Sequence, residues 1–64
     1  MIKVIGRKSE QKTIDKALKL NDLMASFLIP RERFIAILNG IPATSDDIVN
    51  PDDELVLLEV FSGG

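Results

Sequence analysis

Residues 20–40, "LNDLMASFLIPRERFIAILNG", carry a helix, its stop signal, a strand and a turn in one run. Leu20, Leu23, Met24, Phe27 and Leu28 recur at spacings of three, one, three and one, the apolar stripe of a helix lying on a core. Asn21 reads as its N-cap, with Asp22 placing negative charge in the first turn, and Pro30 ends it at or before Ile29. Phe34 to Leu38, "FIAIL", then reads as a strand closed by an Asn39-Gly40 turn. A helix with one apolar stripe beside a strand that is apolar at both parities points to a sheet with the helix on one face.

Working outward from that run, residues 1–7 read as a first strand, with Ile2 and Val4 flanking Lys3, and the polar stretch 6–10 as a hairpin turn. Residues 11–17 read as a second strand whose Lys12 and Lys16 suit an exposed edge. Residues 54–61 read as a final strand. Between them, residues 41–53 contain Pro42, Pro51 and several Asp, Asn and Ser residues, the composition of a connecting loop with a short turn. The predicted order is strand, strand, helix, strand, strand. It describes one α+β domain over residues 1–64, a four-stranded mixed sheet with one main helix on one face.

A single helix covers only one side of such a sheet. If Phe34, Ala36, Leu38, Leu55 and Leu57 face the helix, alternation sends Ile35, Ile37, Val56 and Leu58 to the other side. An apolar patch of that kind on a small domain marks a protein contact. Alternatively, the loop 41–53 folds over it.

Composition narrows the chemistry. The 64 residues contain no Cys, His, Tyr or Trp, which removes the usual ligands for zinc, iron–sulfur and haem sites and the commonest nucleophile–base pairs. So short a chain supports one small core and no deep substrate cavity. No apolar run approaches the ~20 residues of a membrane span and no signal-peptide pattern opens the chain, so a cytoplasmic protein without membrane contact is expected. Charge is uneven: residues 1–33 sum to +4 and residues 34–64 to −6. The acidic second half, lacking Tyr and Trp, argues against direct nucleic-acid binding and for a basic partner surface. Asp46 with Asp47, and Asp52 with Asp53 and Glu54, lack calcium-loop spacing and read as turn or cap residues, with partner contact as the alternative. No metal site is expected. Ser45 and Ser62 have no base to activate them, and Arg31 and Arg33 read as residues of a solvated turn.

The sequence ends on Gly63 and Gly64, straight after a polar turn and an apolar strand. Two such glycines arise by chance in roughly one chain in 200 at average glycine usage. The element order, the "NG" after the third strand, the "IPRERF" that follows the helix and the terminal "NPDDELVLLEVFSGG" together resemble the ThiS/MoaD sulfur carriers, a ubiquitin-like family with the β-grasp fold. The length is nearer ThiS than the longer MoaD, and archaeal small modifier proteins share both size and ending.

That resemblance implies that the protein is a co-substrate, not an enzyme. An adenylating enzyme of the ThiF/MoeB type, using its own ATP and magnesium, would join AMP to the Gly64 carboxylate. Persulfide sulfur would then displace AMP and leave a thiocarboxylate. Nothing in this chain resembles a phosphate-cradling glycine loop, and no cofactor is expected beyond that sulfur. Acceptors would be a thiazole synthase, a molybdopterin synthase large subunit or a tRNA thiolase. Target-protein lysines would replace them if the chain is instead a protein modifier. The resemblance makes residues 61–64 a flexible tail and Gly63 and Gly64 the reactive end. Phe61, an aromatic beside that tip, reads as an anchor for a partner pocket or, alternatively, as a residue that closes the core. With Ser62 and the face residues Ile35, Ile37, Val56 and Leu58 it makes up the expected partner contacts of a chain expected to be monomeric when free. A non-covalent interaction domain using only the apolar face is the third reading.

Overall fold

The computed structural model describes residues 1–60. The main sheet has five strands. They are β1 (Ile2–Ile5), β2 (Glu10–Lys12), β4 (Phe34–Leu38), β5 (Ile41–Pro42) and β7 (Leu55–Glu59), in the spatial order β2-β1-β7-β4-β5. β1 and β7 run parallel, and the other neighbours are antiparallel. β3 (Leu18–Lys19) and β6 (Ile48–Val49) form a second, two-stranded sheet, and α1 (Leu20–Ser26) follows β3 directly. The fold is α+β, with one α-helix and a mixed sheet containing a parallel pair, and it is compatible with the expected β-grasp. The sheet has five strands rather than four, and the short elements β3, β5 and β6 change the element order.

The core lies between α1 and one face of the sheet. Ile2, Val4, Leu20, Leu23, Met24, Ala36, Val49, Leu55 and Leu57 are buried there, with Phe27, Phe34 and Leu38 packed against them. Two-residue alternation along β4 and β7 thus falls in the predicted phase. Among the described residues, no helix is long and apolar enough to cross a membrane.

Several boundaries differ from the sequence reading. The second strand is the three residues Glu10–Lys12, not 11–17, because Ile2, Lys3 and Val4 pair with Lys12, Gln11 and Glu10 and the chain then leaves the edge. The predicted Asn21 cap is also wrong: Lys19 is the N-cap, with no side-chain cap bond. Backbone carbonyls of the following loop take that role, since Leu20 N–H donates to Asp47 O at 2.8 Å and Asn21 N–H to Ser45 O at 3.1 Å.

The helix ends at Ser26, two residues before the end of its apolar stripe. Leu28 N–H donates to Ala25 O and Ile29 N–H to Met24 O at 2.9 Å, with Leu28 at φ 59, which is the Schellman ending with leucine where glycine is usual. Leu28, predicted on the core stripe, is therefore 90% exposed. At the "NG" turn, Asn39 (φ 50) and Gly40 (φ 83) both take positive φ between the paired Leu38 and Ile41, the dihedral pattern of a two-residue type I′ hairpin. That hairpin turns the start of the expected loop into β5.

Candidate functional site

The side of the sheet away from α1 is built by register. Lys3, Val56, Ile37 and Pro42 lie in one row across β1, β7, β4 and β5, and Ile5, Leu58 and Ile35 lie in the next. Ile35 is 51% and Ile5 43% exposed, while Ile37, Val56 and Leu58 are half-buried by their neighbours within the sheet. All four apolar contacts predicted from alternation, Ile35, Ile37, Val56 and Leu58, share this face. Val60, 46% exposed, continues it by the same alternation.

The alternative cover is ruled out by where the loop goes. Val49 of β6 pairs with Leu18 and sits in the helix-side core, and the carbonyls of Ser45 and Asp47 bond the start of α1. Residues 43–49 thus lie on the helix side. Sequence reasoning missed Ile5, Lys3 and Pro42 as members of the open face. Ile5 was readable as the odd-parity neighbour of Ile2 and Val4, but the lateral partners follow only from the parallel β1–β7 register.

Phe61, Ser62, Gly63 and Gly64 lie outside the described residues. What the structure does define is their point of departure. β7 is the central strand, and Val60 N–H donates to Arg33 O at 2.8 Å, which extends the β4–β7 pairing by one bond. Glu59, on the helix-side parity, turns its carboxylate towards the loop after β1: Oε1 accepts the Arg7 backbone N–H at 3.2 Å and Oε2 lies 3.6 Å from Arg33 Nη2. Gly6 leaves the space this carboxylate occupies, since a Cβ there would collide with Glu59 Oε1 and come within 2.9 Å of its Cβ.

Asp53, Asp47 and Arg31 hold turns together. Asp53 accepts from Asn50 N–H at 2.8 Å, Asn50 Nδ2 at 3.2 Å and Asn39 Nδ2 at 3.2 Å. These bonds, the Asn50 backbone donor foremost, hold its carboxyl below the usual aspartate value. Asp47 accepts Thr44 N–H at 2.8 Å and tightens the turn before β6. Asp53 and Asp47 both fit the turn roles expected for them. Among the described residues no three metal-ligating side chains converge. Arg31 and Arg33 are not simply solvated: Arg31 donates to the Phe34 carbonyl at 3.1 Å and the Ala43 carbonyl at 3.4 Å, tying the 3₁₀ turn Arg31–Arg33 to the far side of the β4–β5 hairpin. Neither a protein-family model nor a curated protein matches this chain.

Proposed function

We propose that the protein is a ubiquitin-like β-grasp carrier that docks through its open sheet face and is activated at the Gly64 carboxylate. The observation that carries the reading is the placement of β7. The strand that leads into Gly63-Gly64 is the central one, it is bonded on both sides, and it lies within the uncovered apolar face. A partner gripping Ile5, Ile35 and Leu58 therefore holds the domain close to Val60, four residues before Gly64. Fixing the reacting groups in this way turns a bimolecular encounter into an oriented one.

The chemistry is the partner's. The Gly64 carboxylate attacks the α-phosphate of ATP, forming an acyl-adenylate and releasing pyrophosphate. A persulfide then attacks the carbonyl and expels AMP, and a second thiol cleaves the resulting acyl disulfide, leaving a thiocarboxylate and a disulfide on the donor. Glycine at both final positions leaves the carbonyl unshielded and the backbone free to enter a narrow channel. Transfer to a lysine amine instead would make the chain a protein modifier, with the same first step.

A pyrophosphate-release assay with the candidate adenylating enzymes of the source genome tests the shared step. Turnover that depends on this chain and is lost when Gly63 and Gly64 are deleted supports the reading, and no turnover with any of them contradicts it. The open face also favours a second reading, a non-covalent interaction domain. In that case deletion of the two glycines leaves partner binding and cellular function intact.

A further inference from the structure

The five residues Gly6, Arg7, Arg33, Glu59 and Val60 form one unit at the end of β7. The Glu59 side chain is 12% exposed and spans both neighbouring strands: Oε1 takes the Arg7 N–H on the β1 side, and Oε2 faces Arg33 on the β4 side. Val60 N–H bonds the carbonyl of that same Arg33. The space is reserved from the other direction as well, because Gly6 is the position at which any side chain would displace the carboxylate. With its Arg33 end exposed and a separation of 3.6 Å, the Glu59–Arg33 pair adds little to stability. The arrangement is therefore better explained by what it fixes, which is the geometry of the last residues before the glycine-ended segment.

We propose that Glu59 is a positioning residue: together with Gly6 and Arg33 it clamps the end of β7 and so sets the point and direction from which residues 61–64 are presented to an activating enzyme. The part concerning presentation rests on the carrier reading, whereas the clamp itself does not.

Two measurements separate these parts. Amide hydrogen exchange by NMR reads the clamp: Val60 N–H should be protected in the wild type and lose about tenfold or more protection in Glu59→Ala and Gly6→Ala. The protection of Leu57 in the core should be unchanged in both variants. Pairing the two substitutions should add little, since each removes the same contact. Val60 protection equal to the wild type in both variants overturns the clamp, whatever the protein does.

Steady-state pyrophosphate release reads presentation. Glu59→Ala should lower kcat about tenfold with KM within twofold, because the docking face is untouched, and Glu59→Gln, which keeps an acceptor for Arg7 N–H, should recover most of the rate. An unchanged kcat, or an effect confined to KM, overturns the presentation role. If the wild type supports no turnover with any adenylating enzyme, the carrier reading and the presentation role fail together, and the exchange experiment still decides the clamp.

Discussion

Leu28 and Asp53 show how far single residues depart from what their type suggests. Leu28 fits the apolar stripe by spacing, yet it occupies the left-handed position that closes α1 and points almost wholly into solvent. Because a non-glycine residue there costs on the order of 1–3 kcal/mol, Leu28→Gly should raise unfolding free energy by about 1 kcal/mol despite removing an apolar side chain. Chemical denaturation checks this, and destabilisation would mean that the side chain packs. Asp53 reads as one member of an acidic run, but three donors converge on it. Its folded-state pKa lies below the unfolded value of about 3.8, so its contribution is complete above that value and is lost as pH falls through the folded pKa. Denaturation midpoints followed down to about pH 2 should fall more steeply for the wild type than for Asp53→Asn. Parallel curves would show that the turn does not depend on the charge.

At the level of elements, β4 and β7 were legible as short apolar runs bounded by turn residues, and the core then sets their phase, with Ala36, Leu55 and Leu57 buried and Ile35 exposed. The short strands were not. β3, β5 and β6 have two residues each, too few to show a period, and they exist because a neighbour offers backbone partners. The same reason hid the true start of α1, whose first N–H groups are met by carbonyls some 25 residues later in sequence rather than by a local cap. The open face belongs to this scale too. Ile35→Lys should abolish partner binding, or weaken it at least tenfold, while shifting stability by no more than about 0.5 kcal/mol, as expected of an exposed position. Calorimetric titration with the partner enzyme and thermal unfolding of the free domain read the two effects separately. Unchanged affinity would remove this face from the interface.

For the whole molecule, the sequence led to one α+β layer pair with an uncovered sheet side, and the structure adds the register that makes that side continuous from β1 to β5. The clamp at Glu59 was not readable, since nothing local links residue 6 to residue 59 and only the parallel β1–β7 pairing brings them together. On the proposed carrier reading the reactive group is the Gly64 carboxylate, and the adenylating enzyme supplies the catalytic groups that act on it. Intact-mass spectrometry tests this most directly, on protein incubated with a cognate adenylating enzyme, ATP, magnesium and a sulfur donor. The expected result is a mass ending at Gly64 with one oxygen replaced by sulfur, located in the C-terminal peptide. A mass that stays unchanged with every adenylating enzyme of the source genome contradicts it.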